Sequence, residues 1–311
     1  LSFIENNFRN LKIYSWPSKK IKIFIQNKKE ELFEFGSPNK DVFNLFRYKD
    51  LNKQFLKKLR KKKYVKFLKI PKDEIKFFKE KKYNLIINSF YYSQITKKYF
   101  FKKIKKDYNS FAYSFEIKHE KIKNDTAYQY FTQNGPIAFL PISNSSTSIV
   151  FSYNGKKKLN DKNLVYEIYK LNTNYKIKKF EKFEKYNLQF LTLRKYFYNN
   201  ILAFGDLIHK VHPLAGQGFN MTIRDIVILS KIIEDKLSLG LEVDSSVAQE
   251  FENKTQHLNY LYSSLIDFIY EFFKFDSKNK NIFSKNFLKI FKNNKLLNRL
   301  AVKISNEGFY F

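Results

Sequence analysis

A loop with two glycines, set between a strand and a helix, is the part of the sequence best suited to bind a ligand. Residues 201–204 form an apolar run typical of a buried strand, and Gly216 and Gly218 precede a helical repeat of apolar residues that extends to about Leu237. The N-terminus of a helix exposes backbone N–H groups without partners, and the helix dipole adds positive charge. Such a loop can hold an anion or a polarised carbonyl group, although a Gly-x-Gly spacing alone often marks only a tight turn.

The composition excludes several other chemistries. The 311 residues contain no cysteine, which rules out disulfides, thiolate zinc sites and cysteine nucleophiles. There is no Gly-x-Ser-x-Gly, P-loop or His-Glu-x-x-His motif, so hydrolase and nucleotide-triphosphatase functions lack support. Hydrophobic residues make up 43% of the chain, enough for a sizeable core, and the length predicts about two domains. No apolar run is long enough for a membrane-spanning helix.

The formal net charge of +30 has two interpretations. Six of the 59 cationic residues are arginine and the other 53 are lysine, and lysine suits solvated surfaces better than it suits the reading of base edges. We therefore expect no nucleic-acid partner. The densest run, at 57–63, follows apolar residues at helical spacing and is typical of a solvated helix end, with a patch for anionic lipid as the alternative.

Apolar periodicity predicts a mixed α/β protein of the α+β kind. The first part of the chain predicts a hairpin of strands at 20–26 and 31–35, a helix at 41–59, and strands at 65–70, 74–78 and 83–87. The middle predicts an antiparallel sheet with strands at 111–119, 127–131, 137–142, 148–153 and 188–191, and a helix between 166 and 185. The last part predicts helices, with Asp244 or Ser246 as the N-cap of one that reaches Phe275.

The residues around the glycine loop resemble a known family motif. From Gly205 to Asn220 the sequence reads Gly-Asp-x-x-His-x-x-His-Pro-Leu-Ala-Gly-Gln-Gly-x-Asn, and Arg224-Asp225 follows. This run resembles the second flavin-binding motif of the FAD-dependent aromatic-ring hydroxylases, and within them it is most similar to the ubiquinone-biosynthesis hydroxylases. Residues 128–141 also resemble that family's substrate-domain hairpin.

The resemblance implies a fold and a division of the chain. The implied fold is an incomplete FAD/NAD(P)-binding domain with an antiparallel-sheet substrate domain and C-terminal helices. The expected segments are substrate-domain strands and a linker at 1–36, part of the FAD-binding domain at 37–106, the antiparallel substrate domain at 107–193, the second FAD-binding segment at 194–240 and the C-terminal helical region at 241–311.

The same resemblance implies the reaction and its participants. FAD is the expected cofactor, NAD(P)H is the electron donor, and a prenylated phenol of ubiquinone biosynthesis is hydroxylated with O2 through a flavin hydroperoxide. No side chain is expected to act as a catalytic acid or base. Other ubiquinone-synthesis proteins and the membrane surface are implied as partners, and the expected location is the cytoplasm, with a peripheral position at the inner membrane. The residues implied to bind FAD are Gly205, Asp206, Pro213, Leu214, Ala215, Gly216, Gln217, Gly218 and Asn220.

Two departures from the family keep alternatives open. The family begins with a βαβ unit that carries Gly-x-Gly-x-x-Gly, whereas the first glycine here is Gly36 and the chain begins at Leu1 without Met. We expect a truncated sequence, and the alternative is a non-catalytic relic or accessory subunit with weak or no FAD binding. Residues 88–92 stand in place of the family's Asp-Gly motif, which bears on flavin or nicotinamide contacts. A basic protein that binds nucleic acid or a membrane surface is the third hypothesis.

Three residues near the loop have a spacing that metal ligands also use. Asp206, His209 and His212 form an Asp-x2-His-x2-His set. A metal needs converging ligands and an open geometry, and the flavin loop explains the neighbouring glycines as well. We therefore expect no metal site.

Overall fold

The computed structural model describes residues 15–25, 31–36, 41–81, 83–155, 157–213 and 216–278, which form two compact units. The first unit contains the described residues up to Lys66, the range Asn109–Leu188 and those from Phe272 onward. The second contains Phe67–Tyr108 and Gln189–Glu271. The domain boundaries expected from the sequence stay predictions. Among the described residues, no helix combines the length and the apolar character needed to cross a bilayer.

Helices are divided between the units. The first unit contains α1 (Tyr48–Arg60) and α4 (Asp161–Leu171), the second contains α2 (Glu74–Lys81), α3 (Gln94–Tyr99) and α5 (Gln217–Ser238), and α6 (Ser245–Lys278) has residues in both. Helix α6 confirms the predicted C-terminal helix. It begins after Asp244, whose Oδ1 accepts a hydrogen bond from the Ser246 N–H (2.9 Å), so Asp244 caps the helix.

A sheet dominates the first unit. Its strands lie in the order β6 (Lys103–His119), β9 (Ser146–Tyr153), β8 (Gly135–Ser143), β7 (Thr126–Thr132), β2 (Lys20–Ile25) and β3 (Glu31–Gly36), with β10 (Ile177–Phe180) paired to β6. Neighbours are antiparallel except β2 and β7, which are parallel. Strands β1 (Ser15–Ser18) and β4 (Phe43–Phe46) form a separate antiparallel ladder. The core lies between the sheet and α4, where Ile117, Ile137, Phe151, Leu164 and Ile168 are fully buried.

The second unit contains a smaller sheet. Strand β13 (Ile201–Ala203) is parallel to β5 (Ile86–Asn88) and antiparallel to β12 (Phe197–Tyr198). Strand β14 (His209–Lys210) pairs with β11 (Glu184–Leu193) at Thr192 and His209. Apolar side chains of β13 pack against both long helices, with Leu202, Ile232 and Phe251 almost fully buried.

The predicted α/β class is confirmed. The β2–β3 hairpin is confirmed, and so are the predicted strands at 127–131, 137–142 and 148–153. Each of these segments alternates or is bounded by a turn signal, so local pattern and tertiary pairing agree.

Four local predictions are wrong, at least in part. The helix predicted at 41–59 begins only at Tyr48, because Phe43–Phe46 pairs with Ser15–Ser18 as a strand. Residues 65–70 have no regular structure, and the strand predicted at 74–78 is the start of α2, where Asp73 Oδ1 accepts from the Lys76 N–H (3.0 Å). Hydrogen bonding of this kind by an aspartate favours a helix start over a strand.

The fourth wrong prediction is the helix between 166 and 185. Helix α4 ends at Leu171, because the Asn172 side chain accepts from the Tyr175 N–H (3.0 Å) and donates to the Tyr175 carbonyl oxygen (2.7 Å). This turn leads the chain into β10, which pairs with β6. Asparagine side chains commonly close turns in this way, and the lysine-rich pattern concealed it.

Candidate cofactor-binding loop

The loop predicted to bind a cofactor begins where strand β13 ends. Gly205 has φ +65, a left-handed conformation that glycine adopts without steric cost, and it opens a single 3₁₀ turn, Gly205–Leu207. Gly205 and Leu207 are buried, whereas Asp206 between them is exposed. The turn therefore holds a carboxylate at the surface, at the carboxyl end of a buried strand.

Strands β5 and β13 end at the same edge because they are parallel. The Phe204 N–H donates to the Asn88 carbonyl oxygen (2.9 Å), so the two strand ends are directly bonded. The Asn88 side chain is buried and donates to Thr96 Oγ1 (2.8 Å). Ligands of open α/β sheets bind outside the carboxyl ends of the strands. The segment at 88–92 thus lies at the edge that also presents Asp206.

Helix α5 begins at this loop with an N-terminus that no side chain caps. Its N-cap is Gly216, with φ +68 and ψ +19, and the first turn contains no acidic residue. A Cβ at Gly216 would have no neighbour within 4 Å, and one at Gly218 would only touch Val211 Cγ2 at 3.6 Å. The first N–H groups of a helix have no intrahelical partners and carry positive potential. An anionic or carbonyl-bearing group of FAD fits this open helix end.

Gly205 and the first turns of α5 are neighbours. A Cβ placed on Gly205 would lie 3.9 Å from Thr222 Cγ2, so the turn after β13 packs beside the helix that Gly216 starts. Gln217 and Gly218 are half-buried, and Asn220 is exposed. The structure thus brings together the predicted residues Gly205, Asp206, Gly216, Gln217, Gly218 and Asn220, with Pro213 half-buried just before the loop. Leu214 and Ala215 lie outside the described residues.

A buried polar network lies behind the loop. His209 Nε2 donates to Asp225 Oδ2 (2.7 Å), and both side chains are fully buried. From helix α6, Asn259 Nδ2 donates to both Asp225 oxygens (3.4 and 3.3 Å), and Arg224 donates to Asn259 Oδ1. A buried carboxylate is stable only when it is hydrogen-bonded and paired. The network therefore joins β14, α5 and α6 around one negative charge.

Two tyrosines and a histidine tie the loop to α6. Tyr262 donates to Gln217 Oε1 (2.7 Å), so α6 contacts the second residue of the loop's helix end. Burial raises the pKa of Tyr262, although the nearby Arg224 opposes this, so the phenol stays protonated and can donate. His212 is buried and stacks on Tyr270, with ring centroids 3.9 Å apart and planes at 22°. Both ends of the loop thus rest on the same helix.

Tyr108 packs against the His212 ring as well. Their ring centroids lie 5.6 Å apart in an edge-to-face arrangement, and Tyr108 donates to Asp267 Oδ1 (2.7 Å). Burial and this hydrogen bond raise the pKa of Tyr108 far above its usual value. Burial lowers the pKa of Lys106, but its bonds to Glu271 and Asp267 outweigh burial and raise it. Lys106 therefore keeps its positive charge around neutral pH beside Glu271 and Asp267.

The set of residues considered as metal ligands is not assembled into one site. Asp206 is exposed, His209 bonds to Asp225, and His212 stacks between Tyr108 and Tyr270. Within the described ranges, no three His, Asp or Glu residues are grouped so that they could hold a metal ion.

Sequence reasoning missed the part of the site that α6 supplies. Asn259 and Tyr262 lie 34 and 45 residues from the groups they contact, and nothing in their local pattern marks them. Asp225 was visible in the motif, but its pairing with His209 was not predicted. The i, i+16 separation of those two residues belongs to no regular element, so only the packed structure discloses it.

Known proteins resemble this chain in the part that contains the loop. Residues 105–238 match the model of the FAD binding domain. Related sequences include the mitochondrial ubiquinone biosynthesis monooxygenase COQ6 of Caenorhabditis elegans, 23% identical over 55% of this chain and 49% of the relative. The chain is similar to FAD-dependent monooxygenases over this part of its length. This confirms the resemblance that the run from Gly205 to Asn220 carries.

Further comparisons agree with that similarity to FAD-dependent monooxygenases. The 3-demethoxyubiquinol 3-hydroxylase of Escherichia coli is 28% identical over 50% of this chain and 41% of the relative. The chain spans about half the length, or less, of the curated relatives it matches. Among solved structures, p-nitrophenol 4-monooxygenase PnpA from Pseudomonas putida has a TM-score of 0.74 at 8% identity, covering 97% of this chain and 84% of that one. At 8% identity, this similarity shows only that the two proteins share a fold.

Proposed function

We propose that the protein is a FAD-dependent monooxygenase that hydroxylates the ring of a prenylated phenol in ubiquinone biosynthesis. The observation that carries this proposal is the uncapped, glycine-started N-terminus of α5 next to the exposed Asp206, inside the segment that matches an FAD binding domain. The choice of substrate is supported by relatives named for ubiquinone biosynthesis.

The residues of the loop would hold FAD by complementary charge and close approach. FAD supplies the redox chemistry when bound, accepting electrons from NAD(P)H and activating O2. The N–H groups at Gln217 and Gly218 would stabilise negative charge on the flavin ring system, since they are preorganised and aligned with the helix dipole. Asp206 would accept hydrogen bonds from hydroxyls of the ribityl or pyrophosphate region. The remaining contacts would come from Gly205, Pro213, Leu214, Ala215, Gly216 and Asn220.

The sheet of the first unit would bind the substrate ring and exclude water. Its core is rich in aromatic side chains, with Tyr130 edge-on to Phe139 at 5.7 Å between centroids. A phenol bound against this sheet would need a dry surrounding, because water must be kept from the activated oxygen. A prenylated substrate partitions into lipid, so the protein would work in the cytoplasm at the inner-membrane surface, with other ubiquinone-synthesis proteins supplying and removing the phenol.

A relic or accessory subunit that keeps the scaffold is the second candidate. It is favoured by one observation: the amide of Asn88, at the segment that departs from the family, is already used in bonds to Thr96 and to the Phe90 N–H. Such a protein would keep the fold and bind FAD weakly or not at all.

FAD binding separates these candidates. The purified protein, mixed with FAD, should quench flavin fluorescence and oxidise NAD(P)H with formation of a hydroxylated product from a short-chain prenylated phenol. Asp206→Asn should weaken FAD binding, whereas Asp235→Asn, an exposed carboxylate on the last turns of α5, should not. Protein that is folded but binds no FAD would contradict the proposal and support the relic.

A further inference from the structure

A strongly basic and apolar segment begins in the last turn of α1 and continues into the connection to α2. Residues 57–70 read Lys-Lys-Leu-Arg-Lys-Lys-Lys-Tyr-Val-Lys-Phe-Leu-Lys-Ile, so eight of the fourteen are cationic and the other six are apolar. We call these residues the basic segment. The last turn of α1 accounts for Lys57, Lys58 and Arg60, but the segment continues beyond the helix with no acidic and no polar amide or hydroxyl-bearing aliphatic residue.

Most apolar side chains of the basic segment are exposed, and Val65 is half-buried. Tyr64 is 79% exposed, Phe67 56%, Leu68 61% and Ile70 52%. Scattered exposed apolar residues are normal on a protein surface, but a contiguous group marks an interaction surface. These four follow one another closely along the chain and belong to no hydrophobic core of the described residues.

Five lysines of the basic segment form no ion pair with a described carboxylate. Among the described residues, no ion pair is formed by Lys61, Lys62 or Lys63, nor by Lys66 and Lys69 further along. Elsewhere in the first unit, exposed lysines such as Lys123 and Lys176 do have acidic neighbours, Asp125 and Glu120. These five lysines therefore concentrate positive charge that no described carboxylate offsets.

The mixture of side chains identifies the kind of partner. Seven of the eight cations are lysine, which acts as a point charge toward phosphate, whereas base readers use the bidentate fork of arginine. Exposed phenylalanine, leucine and isoleucine next to lysines suit an interface with anionic headgroups above and acyl chains below. Nucleic acid offers phosphates but no apolar phase for aliphatic side chains.

We propose that the basic segment binds the surface of an anionic lipid bilayer. Its lysines lie at the headgroup phosphates, while Tyr64, Phe67, Leu68 and Ile70 enter the boundary between headgroups and acyl chains. This goes beyond the proposed reaction, because it depends on neither FAD nor a phenol, and it identifies which part of the chain would meet the membrane.

Variants that remove lysine charges test whether electrostatic attraction contributes to bilayer binding. The full chain is floated with vesicles of phosphatidylcholine alone or mixed with phosphatidylglycerol, at low and high salt. Neutralising Lys61, Lys62 and Lys63 to glutamine should weaken binding to the anionic vesicles on the order of 100-fold, since each lysine contributes about fivefold. The matched control changes three exposed lysines of the first unit, Lys121, Lys178 and Lys182, to glutamine. Equal losses in the two triple variants would overturn the proposal.

Apolar variants separate a membrane from nucleic acid. Phe67→Ser, Leu68→Ser and Ile70→Ser together should weaken vesicle binding at least about tenfold, because their apolar surface no longer leaves water. The same variant should bind duplex DNA and FAD as the parent does. The control is the triple serine variant at Leu237, Leu239 and Leu241, three exposed leucines at the end of α5. Unchanged vesicle binding by the Phe67, Leu68 and Ile70 variant would overturn the proposal, and so would DNA binding tighter than vesicle binding.

Discussion

His209 and Asp225 form a fully buried pair, with Nε2 and Oδ2 2.7 Å apart and neither side chain exposed. The pair joins the short strand just before the proposed cofactor loop to the helix just after it. This hydrogen bond therefore helps to fix the relative position of the two segments, and Asn259 also donates to the carboxylate.

Removal of the imidazole should destabilise the protein strongly. His209→Leu leaves the Asp225 carboxylate buried without its partner, which costs about 3 kcal/mol of unfolding free energy, measured in urea. The exposed His257→Leu serves as the control. The double variant His209→Leu, Asp225→Leu should regain part of the loss, because the buried carboxylate is gone. A double variant no more stable than the single one would contradict this account.

Gly216 should contribute both to stability, through its left-handed backbone conformation, and to FAD affinity. Two glycine-to-alanine variants separate these contributions. Gly216→Ala should cost about 1 kcal/mol, because φ is +68 while the space around a Cβ is open. Gly240 has the same φ and equally open space, so Gly240→Ala should lose similar stability. Only Gly216→Ala should also weaken FAD binding, measured by fluorescence titration. Equal FAD affinities in the two variants would count against a cofactor at this helix end.

Tyr262 should position the loop through Gln217. Tyr262→Phe removes the hydrogen bond to Gln217 Oε1 (2.7 Å), which contributes about 1 kcal/mol, and keeps the ring that packs near Met221. We expect weaker FAD binding with little change in circular dichroism. Tyr260→Phe, at an exposed position on the same helix, is the matched control. If both variants bind FAD as the parent does, Gln217 needs no support from α6.

The ion pair of Arg47 and Glu116 should make stability depend on pH. Burial raises the pKa of Glu116, but hydrogen bonds from Lys118 and Arg47 (2.9 Å) outweigh burial and lower the pKa. A carboxyl group with a lowered folded-state pKa stabilises the fold above its unfolded pKa, and the stabilisation is lost as the pH falls through the folded pKa. Glu116→Gln should therefore be less stable at neutral pH, by less than about 1 kcal/mol because solvent screens the pair.

In acid, the stabilities of the parent and of Glu116→Gln should converge. Urea unfolding from neutral pH down to below the usual pKa of glutamate measures this. Glu234→Gln, at an exposed position on α5, is the control. A difference between the parent and Glu116→Gln that stays constant with pH would contradict the assignment.

Particular elements show how far sequence reasoning reached. The hairpin of Lys20–Ile25 with Glu31–Gly36 and the strand–glycine–helix order around Gly216 were predicted, because alternation, turn residues and apolar repeats are local signals. The strand at Phe43–Phe46 was predicted as helix, because the residues it pairs with, Ser15–Ser18, lie far away in sequence. Pairing of that kind overrides local preference and leaves no trace in a short window.

The sequence by itself determined the composition of the loop, the family it resembles and the segment of lysines and apolar residues at 57–70. These follow from residue types and near-neighbour spacing. Only the tertiary structure decided that His209 hydrogen-bonds to Asp225 and that Tyr262 hydrogen-bonds to Gln217. It also decided that most apolar residues of the basic segment are exposed. The physical reason is that burial and long-range hydrogen bonds depend on which elements pack together, and that choice is made by the whole chain.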